Sequence, residues 1–210
     1  MALEHRLSEL GKYHLIAELA RGGMGDVYLA VQQGPAGWSK LVVIKELRLR
    51  DSPRALGMFL DEARLAARLN HPNIVQTNEI GEVGGRHFLA MEYLEGQSLR
   101  AVLQHCANDR PLPLPMHLRI LIDALAGLHH AHELTDFEGN PLEVVHRDVS
   151  PHNVFVTYEG QTKVLDFGIA KASDSTQHTA DGVIRGKVAY MAPEQVRGEK
   201  VDRRADIGRK

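Results

Sequence analysis

Short apolar runs broken by glycine dominate the first ninety residues, and longer helical periodicities dominate the rest. Tyr13 to Ala20 is apolar-rich and predicts a strand. Val27-Tyr28-Leu29-Ala30-Val31 predicts a second, with Gly22, Gly23 and Gly25 in the turn between them. Leu41 to Leu47 is a third β-rich run with one lysine, Lys45, embedded in it. Pro53 opens a helix whose apolar set is Met58, Leu60, Ala63, Leu65, Ala66 and Leu69, and His71-Pro72-Asn73 ends it. Ile74 to Glu82 and Arg86 to Tyr93 predict two strands joined at Gly84-Gly85.

Leu94 to Ser98 reads as a linker, because the chain before it is mostly strand with one helix and the chain after it is mostly helix. Leu99 to Cys106 predicts a short helix, and Asn108 to Pro115, with three prolines, a loop. Met116 to Leu134 predicts a long amphipathic helix with Leu118, Leu121, Ile122, Leu125 and Leu128 inside. Thr135 to Pro141 is polar and turn-like. Val154 to Thr157 and Thr162 to Leu165 predict two short strands joined at Glu159-Gly160. Ala172 to Gly186 is small and polar and predicts a loop, which Tyr190 to Glu194 closes as a helix begins. There are no internal repeats.

Composition narrows this picture mainly by exclusion. The chain has 210 residues, with 25 Lys and Arg against 27 Asp and Glu, so no strong field for nucleic acid or a membrane surface is present. A single cysteine, Cys106, forbids an internal disulfide and fits a reducing cytoplasm. No signal-peptide pattern opens the chain, and no apolar run approaches the length of a membrane span. The 12 histidines are dispersed, and His129, His130 and His132 lack a matching cysteine or carboxylate cluster, so they read as packed or solvated side chains.

The chemistry gathers at Val144 to Asn153. Asp148 can accept a proton from a hydroxyl nucleophile, and Asn153, five positions on, can offer its amide oxygen to a metal ion. The glycine-rich turn can bring backbone N–H groups close to a phosphate chain. A strand follows those glycines, where a dinucleotide-binding fold would have a helix.

Four ordered motifs then coincide: the glycine-rich hairpin, the strand lysine, His146-Arg147-Asp148 with Asn153, and Asp166-Phe167-Gly168 followed by Ala192-Pro193-Glu194. In these the chain resembles the eukaryotic-like serine/threonine protein kinases found in bacteria, over about Tyr13 to Ile207. The resemblance implies an α+β, bilobal fold, with an antiparallel sheet and one helix in an N-lobe (13–93), a linker (94–98), and a mainly helical, incomplete C-lobe (99–210). It implies ATP and Mg²⁺ as ligands and a protein as substrate. Gly22, Gly23 and Gly25 would cover the ATP phosphates, Leu19 and Ala20 would also belong to the ATP site, and Val27, Val43 and Phe155 would enclose the adenine. Met91 would be the gatekeeper, with the Glu92 to Leu94 backbone at the adenine edge. Lys45 would contact the phosphates and pair with Glu62. Asp148 would be the base, and Asn153 and Asp166 the metal ligands. Arg147 would answer to phosphorylation at Thr176 or Thr179, with Ser173 and Ser175 next.

Four departures qualify the resemblance. Ala20 replaces the first loop glycine, and Thr135 to Leu142 is an insertion. Ser150 stands where serine/threonine members carry a lysine, and Lys187 where they carry a threonine, so Lys187 is expected to take over that lysine's place. The sequence departs from the family pattern after Ile207, with Asp206 expected to brace the catalytic loop and apolar faces of Met116 to Leu134 expected to be exposed. Two rival readings follow: a non-catalytic, nucleotide-binding interaction module, and a small-molecule phosphotransferase, the second weakened by Ala192-Pro193-Glu194.

Overall fold

The computed structural model describes residues 9–22, 25–47, 53–106, 111–167 and 190–207, with the side chains at 53–55, 58 and 62 outside the description. Two compact units result, one of residues 1–67 and 76–94 and the other of residues 68–75 and 95–210.

The first unit is a six-stranded antiparallel sheet with one helix. Its strands are β1 (Glu9–Leu10), β2 (Tyr13–Arg21), β3 (Gly25–Gln33), β4 (Ser39–Leu47), β5 (Thr77–Val83) and β6 (Arg86–Glu92), in the spatial order β1-β2-β3-β4-β6-β5. Helix α1 spans Pro53–Ala66. Alternation along β4 sorts side chains to two faces. Val42 and Ile44 join Leu10, Tyr13, Leu15, Ala30, Phe88 and Ala90 in one buried cluster. The other face meets α1 through Leu47, Phe59, Ala63 and Leu89. Tyr13 packs edge-on against Phe88 at 5.5 Å, and its hydroxyl donates to Glu79 Oε2 at 2.6 Å. Burial and that carboxylate together hold the phenol well above its ordinary pKa.

The second unit contains β7 (Gly96–Ser98), α2 (Leu99–Cys106), α3 (Leu114–His132), β8 (Val154–Thr157), β9 (Thr162–Val164) and a short α4 (Pro193–Arg197). Strands β7, β8 and β9 form a small antiparallel sheet. Asn73 anchors it: its carbonyl accepts from Val164 N at 2.8 Å and its Nδ2 donates to Thr162 O at 2.9 Å. Gly127 on α3 is required there, because a Cβ on it would stand 2.7 Å from Asn73 O. Among the described residues no helix is long and apolar enough to cross a membrane.

Several expectations need correction. Residues 94–98 are not all linker, since Gly96–Ser98 pairs with β8. The strand expected from Ile74 starts at Thr77, and Ile74 instead bridges to Val164. Glu9–Leu10 is an additional short strand, with Leu10 fully buried. In α3, Leu118, Leu121, Ile122 and Leu125 are exposed, by 45–62%. Its buried side is Ile120, Asp123, Ala124, Gly127, Leu128, Ala131 and His132. Small residues let the helix approach the Asn73 loop closely, and the larger leucines project elsewhere; of the expected interior set only Leu128 is buried.

Thr135 to Leu142 closes as a hairpin, with Leu142 N donating to Leu134 O at 2.9 Å. Asp136 Oδ1 accepts from the backbone of Glu138 and Asn140, both at 2.8 Å, and its carboxyl is held below the usual range by the Asn140 side chain.

Candidate functional site

In the first unit, register places the candidate side chains. Val27 on β3 faces Lys45 on β4, and Val43 faces Met91 on β6. Because Val43 and Lys45 are two residues apart, all four share one sheet face. They are only half-buried, whereas Val42 and Ile44 on the opposite face are fully buried. The result is an apolar surface of Val27, Val43 and Met91 with one ammonium-bearing chain beside it. Ala20 faces Val27 from β2, and Leu19 next to it is exposed.

The glycines play different parts. Gly22 N donates to Gly25 O at 2.9 Å, closing the turn. Gly25 is demanded by the sheet itself, since a Cβ there would lie 2.2 Å from Glu46 O. Gly23 lies outside the described residues, as does the Glu62 side chain. At the end of β6 the Glu92 N–H is already donated to Gln76 O at 3.0 Å, and Glu92 Oε1 accepts from Gln76 N. That leaves the Glu92 carbonyl and the backbone of Tyr93 and Leu94 as the groups of this segment that could meet a ligand edge.

In the second unit the loop of Asp148 has no regular secondary structure, and its shape comes from polar contacts. Asp206 is the principal one. Its Oδ2 accepts from His146 N and its Oδ1 from Arg147 N, each at 2.8 Å. His132, on the last turn of α3, stands 2.8 Å from the same Oδ2. All three partners converge on a carboxylate whose side chain is fully buried, so the bonds work in a dry setting. Asp202 caps the 3₁₀ turn Arg203–Asp206 by accepting from Arg204 N at 2.9 Å, which sets the approach of Asp206.

His146 ties the two acidic segments together. Its Nδ1 accepts from Asp148 N at 3.2 Å and its Nε2 meets Leu165 O at 2.8 Å, so the proton sits on Nε2. The ring is fully buried against Phe167, 4.6 Å away. Burial pushes its pKa below the ordinary value, in keeping with a neutral ring that both donates and accepts. One imidazole therefore links the residue before Asp166 to the backbone of Asp148.

Asn153 completes the group. Its Nδ2 donates to Asp148 O at 2.9 Å and to Asp148 Oδ2 at 3.0 Å. With the amide nitrogen committed, Oδ1 is the atom left to ligate a cation. Arg147 and Asp166 are both in the left-handed region, at φ 63° and 47°. A non-glycine residue costs about 1–3 kcal/mol there and persists only where its surroundings over-determine it. Ser150 is buried, and Phe155 on β8 pairs with Ser98 and Lys163. Lys187, Thr176 and Thr179 lie outside the described residues.

Mg²⁺ suits this donor set. Asn153 and Asp166 offer oxygen ligands, and a cation of that kind takes few protein ligands and completes its shell with water and phosphate. Among the described residues no group of three or more His, Cys, Asp or Glu side chains could hold a metal ion alone. His146, His132 and Gln195 are not named by the motifs' chemistry. His146 lies within a motif; Gln195 stands three residues after Ala192, the spacing of a helix-capping side chain; nothing local marks His132.

The model of the protein kinase domain matches residues 13–207. The tyrosine-protein kinase MasK of Myxococcus xanthus is 52% identical over 204 residues, covering 96% of this chain and 32% of that protein. The serine/threonine-protein kinase PrkC of Bacillus subtilis is 34% identical, covering 99% and 30%. The chain thus spans about one third of the length of the curated relatives it matches. The crystal structure of the Mycobacterium tuberculosis PknI kinase domain superposes with a TM-score of 0.63 at 30% identity, covering 95% of this chain and 71% of that one.

Proposed function

The chain belongs to the protein kinase domain family, and from that premise we propose that it transfers the γ-phosphoryl group of ATP to a serine or threonine hydroxyl of a protein substrate. The observation that carries the reading is the Asn153–Asp148 pair. The Asn153 amide holds both the backbone and the carboxylate of Asp148, and its own oxygen remains for a cation.

In this reading Asp148 Oδ accepts the proton of the substrate hydroxyl. The hydroxyl oxygen forms a bond to the γ-phosphorus as the bond to the β–γ bridging oxygen breaks, and ADP leaves. Asn153 and Asp166 would hold Mg²⁺, which would offset charge on the transferring group. Lys45 orients the phosphates, while Val27, Val43 and Met91 offer an apolar face to the adenine. His146 and Asp206 keep the Asp148 backbone in place.

A tyrosine acceptor is the second reading. It is favoured by the name of the MasK relative and by Ser150, a short buried side chain where serine/threonine members carry a lysine. One assay addresses both readings: incubation with Mg-ATP and mixed protein acceptors, followed by phosphoamino-acid analysis. Phosphoserine and phosphothreonine are expected, with transfer reduced by about 10²–10⁴ in Asp148→Asn. Phosphotyrosine alone would overturn the acceptor class, and undiminished transfer by Asp148→Asn would overturn the role of Asp148.

A further inference from the structure

The peptide that joins Arg147 to Asp148 is gripped at both ends. Its N–H, on Asp148, donates to His146 Nδ1 at 3.2 Å. Its carbonyl, on Arg147, accepts from Gln195 Nε2 at 2.9 Å. The preceding peptide is held through Arg147 N by Asp206 Oδ1. Arg147 between them is in the left-handed region, a conformation that relaxes unless neighbours prevent it. Asp206 and His146 are buried and belong to the loop's own support. Gln195 is different. It is half-buried, lies 48 positions along the chain, and reaches Arg147 from α4.

The orientation of its amide follows from its second bond. Gln195 Oε1 accepts from the backbone N–H of Ala192 at 3.0 Å. Ala192 is the residue that precedes the first turn of α4, and it has no side chain able to cap the helix. An oxygen is needed at that end of the amide, so the NH₂ end is the one that meets the Arg147 carbonyl. One side chain thereby joins the start of α4 to the peptide from which Asp148 is suspended.

We infer that Gln195 is a positioning residue for phosphoryl transfer: it locks the left-handed Arg147 and so sets the orientation of the Asp148 carboxylate. The inference rests on the reading of Asp148 as the base. Gln195 touches neither substrate nor ATP in this role. It acts on kcat through the geometry of Asp148, and leaves the residues assigned to ATP untouched.

Gln195→Glu isolates the bond. Glutamate is nearly isosteric and keeps an oxygen for Ala192 N–H, but it replaces the donor to Arg147 O with a second, anionic oxygen. Expected are a ten- to hundredfold fall in kcat, on the order of what misplacement by about 1 Å costs, an unchanged KM for ATP, and an unfolding midpoint lowered by no more than the loss of one hydrogen bond explains. Amide hydrogen exchange at Arg147 and Asp148 should quicken, with β8 and β9 unaffected. Asp148→Asn is assayed alongside. Undiminished transfer by that variant sinks the reading of Asp148 as base, and with it the effect on kcat, while exchange still reports the Gln195 contact. If Asp148→Asn is inactive and Gln195→Glu matches the wild type in kcat and exchange, the positioning role is wrong. A rise in KM for ATP together with a midpoint lowered by more than that would also overturn it, because that pattern marks a general structural role.

Discussion

Lys45 and Asp148 are both expected to act on a phosphoryl group, yet they are held in place by opposite means. Lys45 sits in the middle of β4, between Val27 on β3 and Leu89 on β6, and the ladder decides which face of the sheet it stands on. Moving it would require shifting a nine-residue strand by one position and inverting every side chain along it. Asp148 lies in a loop without regular structure. Its place depends on His132, His146, Asn153, Gln195 and Asp206, drawn from a helix end, the loop itself, α4 and a 3₁₀ turn. The lesson is one of vulnerability. A residue placed by sheet register is protected by many equivalent backbone bonds, and a single side-chain change near it does little. A residue placed by a converging polar group is lost when the common acceptor is lost.

The largest expected effect follows directly. Asp206→Ala removes the acceptor for His146 N and Arg147 N, and the neighbour of His132, inside a dry interior. Stability should fall by about 3 kcal/mol or more in denaturant titration, and transfer should drop with it. A titration matching the wild type would show that the loop keeps its form without the brace, and the contrast with Lys45 would collapse.

A smaller effect is expected in the sheet, and it discriminates between two glycines. Gly25→Ala would force a methyl to within 2.2 Å of Glu46 O and should cost about 1–3 kcal/mol. In Gly22→Ala the added carbon meets nothing nearer than Gly25 O at 3.5 Å, and stability should change by no more than about 0.5 kcal/mol. Equal losses for the two would mean that the ladder does not carry the position as argued.

The smallest effect is a pH dependence confined to the second unit. His146 and His71 both have pKa values lowered from 6.5, chiefly by burial. Each therefore binds protons more readily when unfolded. Their contribution to stability is complete above the unfolded value of 6.5 and is lost as pH falls below it toward their folded values. Between pH 7 and 5 the unfolding free energy should decline, and His146→Asn should flatten that slope without abolishing it, because His71 remains. A slope unaltered by His146→Asn would place the dependence elsewhere.

Much of this was legible in the sequence because it is local. Hydrophobic period and glycine placement mark β2 to β4, α1 and the short strands around Glu159-Gly160. The spacing of Asp148 and Asn153 already suggests a shared site. Exposed apolar faces on α3 were expected from the family resemblance, but which residues would form its buried side was not legible. An amphipathic pattern shows that a helix has an apolar stripe, but not which side the close-packed stripe of Ala124, Gly127 and Ala131 will occupy. Small residues win that side because the Asn73 carbonyl comes so near.

The linear chain by itself indicated most of the strands, their alternation and the candidate reacting groups, since each depends on neighbours a few positions apart. Tertiary structure decided most of the support beneath Asp148. His132, Asp206 and Gln195 lie 48 to 74 positions from their partners, and of the three only Asp206 was expected, from the family resemblance, to brace the loop. They meet because a left-handed peptide in a dry interior has N–H and carbonyl groups that must find partners, and folding brings those three side chains within reach.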